Sequence, residues 1–339
     1  ALAGTAVVSG EGPYLPEERA FSHRWVLQAS RASWAHQTPV VALADMVEIQ
    51  LGQGSEGGVA IFKPLGDLEP RVAQAVQPWH TAHLHTAQGQ DLAPWIAEIR
   101  RINPEIPVGV KIPATHHLEQ DLAYLLTCGV DVITLDGREA GSAGSPAVLS
   151  DQLGIPTALA IARAHRWLLA QGRRGEVSLI ASGGVRDGAD VVKLLALGAD
   201  AVAVGSVLLL ALTHGQVHRG FPLPPTAAVM AKAARKSKGA IDPGMAADHL
   251  VRWFEAIREE LDLLCAALGL KDLGELRAHH LVAESPDMAR ALGIPCILER
   301  PSGDPGLPSL THSLERLVRE YGRLAEVLRQ QYQLWTSRR

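Results

Sequence analysis

Short apolar, β-branched runs alternate with stretches of helical spacing through the first two thirds of the chain. Six runs predict strands: "GTAVVSG" (4–10), "MVEIQLG" (46–52), "PVGVKIP" (107–113), "VDVITLDG" (130–137), "EVSLIASGG" (176–184) and "ADAVAVGS" (199–206), with a weaker seventh near Ile155. Between them, "LAPWIAEIRRI" (92–102) carries an apolar face, while "LEQDLAYLLTCG" (118–129) and "ADVVKLLALG" (189–198) each end in the glycine that readily closes a helix. Apolar strands joined by helices imply a parallel sheet covered on both faces. The repetition predicts an α/β fold, a TIM (β/α)8 barrel with its first strand expected ahead of Ala1; an open doubly wound sheet is the alternative.

The later residues read differently. From about residue 222 to 298 the spacing is helical, with Leu250, Trp253, Phe254, Ile257, Leu261, Leu264 and Leu268 at three- and four-residue steps. Beyond the breakers Pro301, Pro305 and Pro308, the residues Leu314, Leu317, Tyr321, Leu324 and Leu328 predict a final amphipathic helix, set either on its own barrel or on another copy as a homo-oligomer contact. The expected division is a barrel over 1–215, a helical extension over 216–300, and a linker with a C-terminal helix over 301–339.

Composition narrows the function classes. A chain of 339 residues, 47% hydrophobic and 20% charged, buries one large core with a smaller appendage. A formal net charge of −4 without a basic run argues against a nucleic-acid partner. Neither a membrane span nor a signal peptide is legible. Cys128, Cys265 and Cys296 lie far apart, which suits reduced thiols in a cytoplasmic protein and lacks the spacing of iron–sulfur ligands.

Candidate chemistry gathers where predicted strands end. Gly183-Gly184 and Gly205-Ser206 follow successive strands, where backbone can approach a ligand and the next helix presents N–H groups to an anion. Paired loops of this kind hold phosphate in many barrels, which points to a phosphorylated cofactor or substrate. Gln53, Lys111 and Asp136-Gly137 stand at other strand ends; the ammonium of Lys111, among Val, Ile and Pro, requires an anion or electron-rich partner. Glu11 in "SGEGPYLPEER" is a candidate acid/base or hydrogen-bond acceptor. The pairs His83/His85, His116/His117 and His214/His218 supply no clear third ligand, so no metal is expected, and His116 or His117 is read as a substrate contact.

These segments, with "VEIQLGQGSEGG", "VDVITLDGREAGSAGSP", "SLIASGGVRDGADVVKLLALGADAVAVGS" and "LRAHHLVAESPDMARALGI", resemble in order and spacing the FMN-binding synthase domain of the glutamate synthase family, over about residues 4–295. The resemblance implies a barrel holding FMN, with Ser182, Gly183, Gly184, Gly205 and Ser206 around the phosphate. Gln53, Lys111, Asp136 and Gly137 would lie toward the cofactor, and Glu11 in the substrate site. The implied chemistry is reduction of an imine, made from a 2-oxo acid and ammonia, to an amino acid. The chain departs from the pattern in three places. The cluster segment is replaced by "LLLALTHGQVHRGFPLPP", the stretch supplying a substrate lysine by "QGSEGG" (53–58), and a preceding basic residue by Gln50. An electron-donor or glutaminase partner subunit is therefore expected. Alternatives are another FMN-barrel chemistry, such as hydroxy-acid oxidation, and a non-catalytic barrel acting as a partner subunit.

Overall fold

The computed structural model describes residues 3–10, 14–30, 38–54, 62–64, 81–83, 92–141, 147–216 and 241–298, with residues 318, 319, 321, 322 and 326 near the C-terminus. Three parallel strands come first: β1 (Ala6–Val8), β2 (Arg24–Ala29) and β3 (Met46–Gln50). A separate antiparallel pair, β4 (Phe62–Pro64) and β5 (Thr81–His83), interrupts the series. The parallel sheet then continues through β6 (Val108–Pro113), β7 (Val132–Asp136), β8 (Ser178–Ser182) and β9 (Ala201–Ala203). Its crossovers hold α1 (Pro16–Phe21), α2 (Thr38–Leu43), α3 (Leu92–Ile102), α4 (Leu118–Thr127), α5 (Ala147–Gln152), α6 (Thr157–Ala170) and α7 (Gly188–Ala196).

Each strand of the main sheet pairs in parallel with the next one along the chain. A doubly wound sheet reverses its order at a switch point and this one never does, so the architecture is a βα barrel of the TIM type. The seven strands form an open barrel: among the described residues β1 and β9 do not pair with each other. The pair β4 and β5 was not read in the sequence, and two assignments around the main sheet also differ. The run "RWVLQA" is the buried strand β2, whereas Ile155 lies in no strand. Ile155 instead links two loops, accepting from the Arg138 amide at 2.9 Å and donating to the Ala114 carbonyl at 3.1 Å.

Alternation along the strands divides apolar from polar. Val47, Ile49, Val108, Val110, Ile133, Leu135 and Leu179 are fully buried in the core shared with Leu92, Ile96, Leu118, Leu122, Leu125, Ile161 and Leu168 of the covering helices. Burying each such side chain contributes about 1.5–3 kcal/mol. The intervening positions Gln28, Glu48, Lys111, Thr134, Asp136 and Ser182 face the barrel interior and line its cleft.

At the opposite end of the barrel one device occurs three times. Asp45, Asp131 and Asp200, each just ahead of a strand, accept from the backbone amides of Trp25, Val108 and Leu179 on the preceding strand at 2.7, 2.8 and 2.7 Å. An arginine meets each carboxylate: Arg19 at 3.3 Å, Arg100 at 2.9 Å and Arg174 at 2.8 Å. These ties register neighbouring strands far from the cleft. Asp200→Ala is expected to lower stability by about 2 kcal/mol, the scale of a charge-assisted hydrogen bond, while leaving ligand binding unchanged. Urea unfolding beside a binding titration checks both halves of that expectation.

After β9 come α8 (Ser206–Thr213) and the long α9 (Pro243–Leu268), begun by Asp242, whose carboxylate accepts from the Gly244 and Met245 amides, and ended by Gly269 at φ +72°. Within the span read as helical from 222 to 298, α9 is followed by two short 3-10 turns and α10 (Pro286–Leu292). Helix α9 packs on both α7 and α8, which follow β8 and β9. Most of the heptad positions from Leu314 to Leu328 lie outside the described residues.

Candidate active site

The carboxyl ends of the strands open into a cleft of about 800 Å³. Gln53, Lys111, Asp136 and Ser182 line it, together with both glycine turns, Gly183-Gly184 and Gly205-Ser206. Gly137 stands behind the wall, its amide donating to the Ser182 carbonyl at 2.9 Å. Glu11 lies outside the described residues. His116 and His117 are stacked edge to face in the turn before α4 and do not line the cleft. His218 and His85 fall outside the described residues, while His214 lies against His249, with ring centroids 5.7 Å apart.

The partner that a buried lysine demands is present. Lys111 Nζ lies 3.7 Å from Asp136 Oδ2, with side chains only 14% and 1% exposed. The Gly54 amide also donates to Oδ2, at 3.2 Å, while Asp136 Oδ1 has no hydrogen-bond partner among the described residues. Burial pushes the Asp136 carboxyl up to about 6. Lys111, the Ser182 hydroxyl and the Gly54 amide hold it from rising further, and the nearby Glu48 carboxylate adds to the rise.

Deeper in the barrel sit groups not picked out in the sequence. Glu48 accepts from Gln28 Nε2 at 2.9 Å and from Thr134 Oγ1 at 2.6 Å, tying β2, β3 and β7 together across the interior. The signal for them was the period of two in "VEIQ", where Glu48 and Gln50 alternate with Val47 and Ile49 on a buried strand. Gln50 Nε2 donates to Gln53 Oε1 at 3.1 Å, linking the strand to the loop after it. Glu139, another wall residue, accepts from the Thr157 amide at 3.0 Å and its hydroxyl at 2.9 Å, and so caps α6.

The loops around this wall interlock too closely for side chains. A Cβ on Gly183, at φ +116°, would lie 2.7 Å from the Ala140 nitrogen, and one on Gly137 would lie 2.5 Å from the Thr157 nitrogen and Cα. Gly137→Ala is therefore expected to cost on the order of 3 kcal/mol or to prevent folding, because backbone rather than a flexible side chain must move. The urea midpoint measures this.

The two turns differ as anion sites. The amide of Asp190 near the start of α7 is taken by the Asp187 carboxylate at 2.9 Å, and that of Gly188 by Glu260 of α9 at 2.6 Å. Two amides at the start of the helix after Gly183-Gly184 are thus taken by carboxylates. Helix α8 begins at Gly205 without a side-chain cap, and a Cβ on Gly205 would have no atom within 4 Å. Backbone donors and open space therefore coincide at Gly205-Ser206.

A conserved region in glutamate synthase matches residues 1–271. The chain belongs to the glutamate synthase family. It is 28% identical over 308 residues to an archaeal-type glutamate synthase [NADPH] of Dehalococcoides mccartyi, covering 86% of this chain and 60% of that protein. It is 33% identical over 223 residues to a glutamate synthase large subunit-like protein of Rhizobium meliloti, covering 63% and 50%. The chain spans about half the length of the curated relatives it matches. Among solved structures, mandelate oxidase with (S)-2-phenylpropionate superposes with a TM-score of 0.51 at 17% identity, covering 81% of this chain and 68% of that one. A flavocytochrome b2 mutant with benzoylformate gives 0.51 at 15%, covering 89% and 63%. These two likenesses establish the barrel fold. As for membranes, no helix among the described residues is long and apolar enough to cross one.

Proposed function

We propose that this glutamate synthase family member is an FMN-dependent oxidoreductase that reduces an imine, formed from a 2-oxo acid and ammonia, to an amino acid. The observation that carries this reading is the cleft itself, lined both by the largely buried Lys111 and by an uncapped helix start at Gly205-Ser206. Its volume falls within the range of cofactor pockets. FMN fits the residues present: its phosphate suits the open Gly205-Ser206 turn, and its ring suits the polar floor of Lys111, Gln53 and Asp136. When bound, FMN supplies a hydride to the imine carbon.

The chain's own residues bind, orient and balance charge. Lys111 places a positive charge where negative charge accumulates on reduction. The amides of the Gly205-Ser206 turn hold the phosphate. Glu11 is assigned to the substrate nitrogen, on the family resemblance alone. The shortened "QGSEGG" puts Glu56 where relatives carry a lysine for the second carboxylate of 2-oxoglutarate. We therefore assign a 2-oxo acid other than 2-oxoglutarate, or one completed by residues of a partner subunit that also delivers electrons or ammonia.

The test is anaerobic reoxidation of the chemically reduced, FMN-loaded protein by a panel of 2-oxo acids with ammonia. Ammonia-dependent reoxidation by a monocarboxylic 2-oxo acid supports the reading. Rapid, saturable reoxidation by 2-oxoglutarate without a partner overturns the specificity assignment, and reoxidation by none of the acids, with or without cell extract, overturns the reaction.

A further inference from the structure

The proton that the Lys111–Asp136 pair can accept leads beyond charge balance. Lys111 Nζ is 3.7 Å from Asp136 Oδ2, and the Asp136 side chain is 1% exposed. Its other oxygen, Oδ1, has no partner among the described residues, although the residue lines the cleft. The groups that face this carboxyl come from every side: Lys111 from β6, Glu48 from β3, Ser182 from β8 and the Gly54 amide from the loop after β3. A second buried carboxylate, Glu48, thus adds like charge beside Asp136 and is itself engaged by Gln28 and Thr134.

We propose that Asp136 is a positioning residue that competes with an anion in the cleft for the Lys111 ammonium, and yields it by taking one proton from solvent onto its carboxyl. With the cleft empty or holding a neutral ring, Lys111 and ionised Asp136 form the pair. When the bound group gains a negative charge, Lys111 turns its charge to that group and Asp136 becomes neutral, so the total charge of the buried cluster stays the same. Oδ1 is the atom free to carry the proton. The environment brings this state within reach of neutral pH, since burial has lifted the carboxyl to about 6. Reduction at the cleft is then linked to uptake of a proton by the protein, a step that supplies Lys111 with its full charge only when that charge is needed.

The inference rests on the flavin reading, and its test separates the two. In the full 339-residue chain labelled with 13C-carboxyl aspartate, the Asp136 resonance, assigned by its loss in Asp136→Asn, is titrated in the apoprotein, with oxidised FMN and with reduced FMN. Reduction should move its midpoint upward by at least one pH unit. Between pH 6 and 8 the potential of the bound flavin should then fall more steeply with pH in the wild type than in Asp136→Asn. The difference should approach about 30 mV per pH unit between the oxidised and reduced midpoints, the equivalent of one further proton in a two-electron couple. Lys111→Met should raise the midpoint in the apoprotein and abolish its dependence on reduction. A midpoint that ignores reduction, or equal slopes in the wild type and Asp136→Asn, overturns the role of Asp136 while the flavin reading stands. Failure of the apoprotein to take up FMN overturns the flavin reading and this proposal with it.

Discussion

Gly205→Glu is expected to leave the protein folded and to weaken FMN retention by about a hundredfold or more. The fold should survive because a Cβ at this position meets no atom within 4 Å, and Gly205, at φ −130°, is not in the left-handed region. Binding should fail because the new carboxylate stands in the cleft wall beside the helix start assigned to the phosphate. Juxtaposed like charges cost several kcal/mol, and each 1.4 kcal/mol is a factor of ten. Gly205→Ala, which adds bulk but no charge, should lose far less. Equilibrium dialysis with FMN, beside circular dichroism, separates the two effects. Equal affinity for wild type and Gly205→Glu would move the phosphate elsewhere.

Lys111→Met carries the second large effect, and it acts on both redox chemistry and stability. Without the ammonium, negative charge on a reduced ligand loses its counter-charge, and the potential of bound flavin should fall by about 60 mV, equivalent to a hundredfold loss of preference for the reduced form. The stability effect has a definite pH sign. Asp136 sits at about 6 in the folded protein against an ordinary 3.8, so folding favours its protonated form. That contribution is complete below about pH 4 and is lost as pH rises through 6. Removing Lys111 takes away the largest influence holding the carboxyl down, so the folded value climbs further. Lys111→Met should therefore be close to wild type at pH 5 and clearly less stable at pH 8. Urea midpoints at the two pH values check this, and a deficit larger at pH 5 would contradict the assignment of Lys111 as the partner of Asp136.

Much of the barrel was legible because its strands are read from local pattern. Buried parallel strands such as "VGVKIP" and "VDVITLDG" leave uninterrupted apolar runs, and glycines mark the ends of α4 and α7. Strand β2 was missed because Arg24 opens it and Gln28 faces inward, so "RWVLQA" lacks the apolar continuity of its neighbours. The apolar Ile155 was misread for the opposite reason: it is held by single main-chain bonds between loops, which leave the same local signature as a strand. The strand-end positions Gln53, Lys111, Asp136 and Ser182 do meet at one cleft, because parallel order sends every carboxyl end to the same side. What no local pattern carries is pairing across the barrel. The Lys111–Asp136 contact joins β6 to β7, the Glu48 bonds join β3 to β2 and β7, and the Glu260 carboxylate that caps α7 arrives from a helix far along the chain. The three aspartates at the other barrel end were readable in retrospect, as an acidic residue immediately before each of β3, β7 and β9.

A flavin site in this cleft is tested by the absorbance spectrum of the purified protein after incubation with excess FMN and gel filtration. The expected result is a yellow protein carrying close to one FMN per chain, with FAD and nicotinamide cofactors failing to replace it. A colourless protein that is folded by circular dichroism yet retains no FMN would contradict it.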